Sequence, residues 1–296
     1  MCGIAGLVEL EGGASRDLLG LMGQRIAHRG PDDGRVEVFG RAGFSFRRLS
    51  IIDVAGGAQP ISNETGRIHV MANGEIYNHL DLRRQLESLG HRFKSHSDVE
   101  TIVHGYEQWG DDVPNHLSGM FAFAIWDEDR QRLLLGRDRL GKKPLLYSVA
   151  DGRLTFGSEF SAVLADARVS RDVGRKAIHD FLSYQYVPAP ETGFKAIRKL
   201  PPAHILIFEE GLARTSRYWQ PSCTPRLAVS LDDAVAETEL RLKEAVRKRL
   251  MSEVPLGAFL SGGVDSSLIV ALMSEFTRVK TFSIGFEESR FNELPH

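Results

Sequence analysis

Met120-Phe-Ala-Phe-Ala-Ile-Trp126 is seven consecutive apolar residues, and Arg132-Leu-Leu-Leu-Gly136 follows five residues later. Runs this short and this apolar read as buried strands. With Asp127–Gln131 as the turn between them they form a hairpin, and repeated short runs separated by Gly, Asn and Asp point to antiparallel sheets. Helices punctuate this pattern. Leu82, Leu86 and Leu89 have helical spacing, with Gly90 placed for a left-handed C-terminal cap. Ser97-Asp98-Val99-Glu100 has the form of a capping box, which predicts a helix over Val99–Trp109 closed by Gly110.

The pattern changes near the end. Half of the 12 prolines, at 188, 190, 201, 202, 221 and 225, mark irregular chain and then a linker. A boundary near 219–230 divides the 296 residues into 1–219 and 220–296. Beyond it, Ser230 caps a long helix whose Leu231, Val235, Leu242, Val246 and Leu250 lie near one face. Strand Leu256–Leu260, loop Ser261–Ser266, a helix to Phe276 and strand Lys280–Phe286 then open an α/β parallel-sheet domain.

Composition excludes several function classes. Lys plus Arg total 37 against 39 Asp plus Glu, so no basic field holds nucleic acid or an anionic membrane. With 42% hydrophobic and 26% charged residues the chain can bury enough apolar surface to fold. No apolar stretch reaches the roughly 18 residues of a membrane span. The segment Met1–Gly6 lacks a basic secretion signal, and two cysteines, Cys2 and Cys223, make no disulfide framework, so a cytoplasmic enzyme is expected. Cys223, in the linker, reads as an incidental thiol. The ten histidines are scattered without CxxC or HExxH, so no metal-binding side-chain cluster is expected.

Cys2 has chemical potential of its own. A small second residue normally lets the initiator Met be removed, leaving Cys2 with a free α-amine. An α-amine of ordinary pKa near 7.7–8 is partly unprotonated at neutral pH and can take the thiol proton. Met-Cys-Gly-Ile-Ala-Gly resembles the start of class II glutamine amidotransferases. Arg48-Leu-Ser-Ile-Ile-Asp53, Asn73-Gly-Glu-Ile-Tyr-Asn78, Ser97-Asp98 and Arg137-Asp-Arg-Leu-Gly-Lys-Lys-Pro144 resemble motifs of the glutamine-hydrolysing asparagine synthetases. Together they span nearly the whole chain.

The resemblance implies an α+β N-terminal-nucleophile hydrolase, an αββα sandwich of antiparallel sheets, followed by a truncated α/β PP-loop domain. It implies Cys2 as nucleophile, with the Asn73 side chain and the Gly74 N–H as oxyanion donors. For glutamine, Arg48 suits the α-carboxylate through a bidentate fork, and Glu75 and Asp98 suit the ammonium. Leu49, Ser50, Ile51 and Ile52 would complete the pocket wall through backbone contacts. Read without the resemblance, Asn73-Gly74 is a hairpin-turn signal and Asp98 a helix-capping carboxylate. His28-Arg-Gly-Pro-Asp32 also matches the family, with no role derivable from sequence.

Ser261-Gly-Gly-Val-Asp-Ser266 follows a strand and opens a helix, so backbone N–H groups can cradle phosphate there. It resembles the pyrophosphatase-type ATP loop. The resemblance assigns ATP with Mg2+ to Ser261, Gly262, Gly263, Asp265 and Ser266, with Leu260 and Ile284 against the adenosine at two strand ends. A competing match, Gly136–Lys142 to GxxxxGK, is rejected as a phosphate loop because Lys143 lacks the hydroxyl for Mg2+ and Pro144 is poorly placed in a starting helix. Lys142 and Lys143 read instead as core motif or surface.

The implied reaction hydrolyses glutamine through a γ-glutamyl thioester and passes ammonia to a carboxylate activated by ATP as an acyl-adenylate. By resemblance the acceptor is aspartate and the product asparagine. Another carboxylate acceptor stays open, as does a stand-alone glutaminase or a nucleotide-sensing fragment. The residues after Asn292 stop just past the second strand of the α/β domain, which is expected of a piece of a longer enzyme. Family members usually self-associate, which leaves a homodimer open, but nothing in the sequence fixes an oligomeric state.

Overall fold

The run Met120–Trp126 is a strand with both faces covered. Phe121, Phe123 and Ile125 point into one apolar cluster and Ala122, Ala124 and Trp126 into another, which is why no polar residue interrupts it. The computed structural model describes residues 1–224, 228–288, 290 and 292–294. They form two compact units, Met1–Pro221 and Ser222–His296. Pro225, one of the linker prolines, and Pro295 and His296 at the chain end lie outside the described residues.

In chain order the first unit runs β1 (Gly3–Glu9), α1 (Arg16–Arg25), β2 (Asp33–Phe39), β3 (Ala42–Arg48), β4 (Ile61–Ser62), β5 (Ile68–Ile76), α2 (His79–Ser88), α3 (Glu100–Trp109), α4 (Val113–His116) and β6 (Gly119–Asp127). It continues through β7 (Arg132–Arg137), β8 (Leu146–Ala150), β9 (Arg153–Gly157), α5 (Phe160–Val163), α6 (Arg175–Tyr184), β10 (Arg198–Lys199), β11 (His204–Glu209) and β12 (Leu212–Arg217). Two six-stranded sheets result, ordered β10-β8-β9-β1-β3-β2 and β12-β11-β7-β6-β5-β4. Within both, neighbouring strands are antiparallel.

Ile4, Phe44, Phe46 and Phe156 of the first sheet pack against Met71, Trp126, Leu135 and Leu206 of the second, so the sheets stack face to face. α1 covers the outer face of the first sheet through Leu19 and Met22, and α2 and α3 cover that of the second through Leu82, Leu86, Ile102 and Val103. This is the αββα sandwich that the resemblance implies.

Gly90 has φ +104° after α2, as a left-handed cap requires. In the first unit two local signals were not followed. The capping box at Ser97–Glu100 does not form. α3 starts at Glu100 with no side-chain cap, because the Glu100 carboxylate instead accepts from the N–H groups of Lys94 (2.7 Å) and Ser95 (2.8 Å). The turn reading of Asn73-Gly74 fails as well: both sit inside β5, paired with Ala122 and Phe121 of β6. A Cβ on Gly74 would lie 2.2 Å from the Met120 carbonyl oxygen, so glycine is required there by close strand approach.

The second unit contains α7 (Leu231–Lys248), β13 (Gly257–Phe259), α8 (Val264–Ser274) and β14 (Lys280–Phe282). Ser230 caps α7, its Oγ accepting from the Asp233 N–H at 3.1 Å. β13 and β14 pair in parallel, as the strand–loop–helix–strand order requires. β14 ends at Phe282, four residues short of the expected strand, and Ile284 lies past it. No helix among the described residues is long and apolar enough to cross a membrane.

Candidate active site

β1 lies between β9 and β3, so Cys2 enters the fold at the end of a central strand and cannot shift without moving both neighbours. Gly3 is paired with Arg47, which sets Cys2 beside the chain leaving β3. The Cys2 Sγ there meets the Leu49 backbone, 3.4 Å from its N–H and 3.6 Å from its carbonyl oxygen. A cleft of about 380 Å³ opens over this sulfur. Arg48, Leu49, Ile51, Ile52, Asn73, Gly74, Glu75 and Asp98 all line it, drawn from β3, the following loop, β5 and the approach to α3. Ser50 does not line it: its N–H is turned to the Asp32 carboxylate at 2.8 Å, which fixes the loop instead.

Arg48 is 7% exposed, and its guanidinium donates to the carbonyls of Asp53 (2.6 Å) and Val54 (3.1 Å) as well as bordering the cleft. It thereby shapes the 49–54 wall. Arg29, whose role the sequence left open, donates from Nε to the Cys2 carbonyl at 3.0 Å and from a terminal nitrogen to Glu159 at 2.9 Å. The Asn73 amide is satisfied when its nitrogen donates to the Cys2 carbonyl (3.1 Å) and its oxygen accepts from Arg29 (3.2 Å). The cation therefore sets which end of that amide faces Cys2. Neither this role nor that of Gln59, which lines the cleft and accepts from Ala72 N–H at 2.6 Å, could be read from sequence, since both depend on contacts between distant segments.

Lys143 was read from sequence as core motif or surface. It is 6% exposed and lines the cleft, its Nζ donating to the Met1 sulfur at 3.4 Å. The 138–143 turn that delivers it is wound round Asp138, whose carboxylate accepts from the N–H groups of Phe121, Leu140, Lys142 and Lys143 at 3.0–3.2 Å. GxxxxGK is therefore a carboxylate-centred turn with its own internal anion, consistent with its rejection as a phosphate loop.

Burial dominates the electrostatics. It pushes the Cys2 thiol above its ordinary value, against the Leu49 N–H and nearby cations, so a base is needed to form thiolate at neutral pH. The same burial pulls the α-amine in this cleft, here that of Met1, below its ordinary value, with Arg29 and Lys143 adding to the effect. An amine so placed gives up its proton more readily than a free one, which suits it to act as base. Asp98 is pushed up to about 6, again chiefly by burial, with the Ile76 N–H at 2.7 Å opposing. A buried carboxylate of this kind is completed by a cationic group.

Residues 1–219 match the family model described as glutamine amidotransferase domain. The chain belongs to this glutamine amidotransferase family. Residues 237–296 match a second model, asparagine synthase. The chain is 37% identical over 300 residues to asparagine synthetase [glutamine-hydrolyzing] 3 of Bacillus subtilis (strain 168), covering 98% of this chain and 49% of that one. It is 36% identical to asparagine synthetase [glutamine-hydrolyzing] 1 of the same organism, covering 99% and 47%. The chain thus spans about half the length of these curated relatives. Among solved structures, the glutamine phosphoribosylpyrophosphate amidotransferase from B. subtilis superposes with TM-score 0.54 at 18% identity, covering 97% of this chain and 67% of that one. That likeness bears on the fold alone, and agrees with an N-terminal-nucleophile sandwich for the amidotransferase unit.

In the second unit, the Ser261 and Ser266 hydroxyls of the Gly-rich loop lie 3.0 Å apart, and Ser266 Oγ donates to the Gly263 carbonyl at 3.1 Å. Gly262 has φ +76°, which a side chain would strain. The loop follows the C-terminal end of β13 and opens α8, with Asp265 in the first turn. Leu260 N–H reaches the Phe282 carbonyl at 2.9 Å and Ser283 Oγ reaches the Leu260 carbonyl at 2.6 Å, bringing Leu260 and the segment bearing Ile284 side by side beyond the two strand ends.

One expectation is corrected outside the cleft. Glu64, His91, His104 and Glu107 come together, so among the described residues the histidines are not all scattered. Their ligand atoms come from three separate segments, which no short-motif search detects.

Proposed function

We propose that residues 1–219 hydrolyse glutamine to glutamate and ammonia, and that residues 220–296 begin the ATP-using domain of a cytoplasmic glutamine-dependent asparagine synthetase. The observation that carries the reading is the single 380 Å³ cleft in which the Cys2 sulfur, the Asn73 amide, Arg48 and Asp98 converge. Glutamine needs a site for each of its three polar ends, and this cleft offers one apiece. Arg48 takes the α-carboxylate, Asp98 and Glu75 the α-ammonium, and the side-chain amide is presented to the sulfur.

In this reading Met1 is removed and the Cys2 amine takes the thiol proton. The sulfur then bonds to the amide carbon, and the charge on oxygen is met by the Asn73 amide nitrogen and the Gly74 N–H. The oxyanion collapses to a γ-glutamyl thioester as the C–N bond breaks, ammonia leaving with the proton held on the amine. Water, deprotonated by the same amine, attacks the thioester and releases glutamate and the thiol. In the second domain Ser261–Ser266 hold the phosphates, and Ser261, Asp265 and Ser266 are oxygen donors of the kind a hard cation such as Mg2+ takes. ATP with Mg2+ supplies activation of the acceptor carboxylate, which this reading assigns to aspartate.

Glutamate release by Cys2→Ala and Cys2→Ser tests the first half: loss of glutaminase activity is expected in Cys2→Ala, and retained activity overturns the assignment. In the intact enzyme, product analysis with a panel of carboxylates tests the acceptor. Amidation of another acid in preference to aspartate would overturn the asparagine assignment while leaving the glutaminase reading in place.

A further inference from the structure

Away from the cleft, the turn before β5, the loop after α2 and the face of α3 bring four donors to one point: Glu64, His91, His104 and Glu107, one ligand atom from each, all within 4.8 Å of one another. His104 Nδ1 lies 3.3 Å from a Glu64 oxygen and 3.4 Å from Glu107 Oε2. His91 Nδ1 lies 3.5 Å from the other Glu64 oxygen and 3.7 Å from Glu107 Oε2. A tetrahedral Zn2+ site with bonds of roughly 2.0–2.1 Å has donor–donor edges of about 3.3–3.4 Å; the 3.3–3.7 Å separations here approach that, and a set bounded at 4.8 Å needs only side-chain adjustment to close on a small ion.

The surroundings are those of a metal site too. Glu107 Oε1 accepts from the Asn63 amide at 2.8 Å and Glu64 Oε1 from the Arg92 N–H at 2.7 Å, leaving each carboxylate oriented. The His104 side chain is 1% exposed; its Nε2 has no hydrogen-bond partner and faces Glu100 Oε1 at 3.5 Å, a carboxylate behind a ligating imidazole. Among the described residues the ion-pair partners of Glu64, Glu100 and Glu107 are His91 and His104, with no Lys or Arg among them. A set of two imidazoles and two carboxylates favours Zn2+ over Mg2+ or Ca2+, which take oxygen donors in larger number.

We propose that Glu64, His91, His104 and Glu107 bind one Zn2+ ion. The ion ties the 90–96 loop to α3 and so holds Asp98, at the mouth of α3, in the cleft. The test is direct titration of the full chain, stripped with chelator, by Zn2+ and by Co2+ as a spectroscopic probe. One equivalent of Zn2+ is expected to bind and raise the thermal midpoint, and Co2+ to give the visible absorption of a tetrahedral nitrogen and oxygen site. Glu107→Gln and His91→Ala, both at partly exposed positions, are expected to weaken binding by about 100-fold or more. Substoichiometric binding, equal affinity in wild type and both variants, or a thiolate-to-Co2+ band reporting Cys2 or Cys223 instead would each overturn the proposal.

Discussion

Asp138 offers a sharp test of what positions the cleft. It is 2% exposed, and its Oδ2 accepts from the N–H groups of Phe121 (3.2 Å) and Lys143 (3.0 Å) inside the protein, while Oδ1 accepts from Leu140 and Lys142 nearer the surface. In Asp138→Ala, water can reach the outer pair of donors but not the inner pair. Leaving a buried donor unsatisfied costs about 1–3 kcal/mol, so two of them predict a loss of roughly 2–6 kcal/mol. The three tryptophans, at 109, 126 and 219, all lie in the first unit, so the fluorescence midpoint in urea reads that unit alone. A lower midpoint at unchanged slope is expected. Glutaminase activity should fall too, because the same turn carries Lys143 into the cleft. A stability loss below about 1 kcal/mol would refute the claim that this carboxylate organises the turn, since that is no more than one ordinary hydrogen bond.

Other perturbations follow from the same geometry. Because burial raises Asp98 to about 6, its stabilising effect is present at low pH and is lost as pH rises through that value. Asp98→Asn should therefore stabilise the glutamine-free protein at pH 7.5 by on the order of 1–3 kcal/mol, with the gain vanishing below about pH 4, while weakening glutamine binding. A pH-independent difference between the two unfolding curves would contradict this. The cation of Lys143 lowers the Cys2 thiol pKa, so Lys143→Met should move the midpoint of Cys2 alkylation by iodoacetamide to higher pH; an unmoved midpoint would show that the charge is not felt at the sulfur. In Gly74→Ala the new Cβ meets the Met120 carbonyl at 2.2 Å and Phe121 Cα at 2.7 Å, both backbone, so a loss of about 1–3 kcal/mol or more is expected from the same urea titration.

How legible these features were in the sequence depends on whether a residue acts through its neighbours in the chain or through distant contacts. The hairpin of β6 and β7 was readable because apolar runs and a turn are local. The cleft residues were readable because each sits in a short motif whose resemblance carried the assembly, although nothing in residues 48–53, 73–78 or 97–98 states that they meet. The failures have a shared cause. Ser97–Glu100 has the letters of a capping box, but the loop at Lys94 and Ser95 competes for the Glu100 carboxylate and wins, giving it two backbone N–H donors where the capping box would give one. Asn73-Gly74 has the letters of a turn, but pairing along β5 and β6 uses the glycine for close approach instead.

Arg29 shows why tertiary contacts set the chemistry rather than decorate it. Its neighbours His28 and Gly30 reveal nothing about its partners, yet its donors reach the Cys2 carbonyl, the amide proposed to receive the oxyanion, and Glu159, 130 residues away. A lysine could make one of these contacts but not fix the plane that orients Asn73. Arg29→Lys should therefore preserve charge in the cleft, and with it the pH at which Cys2 is alkylated, while lowering glutaminase kcat through a misdirected amide. If the variant instead left both the alkylation midpoint and kcat unchanged, a positive charge alone would suffice at this position, and the orienting role argued from its three contacts would be wrong.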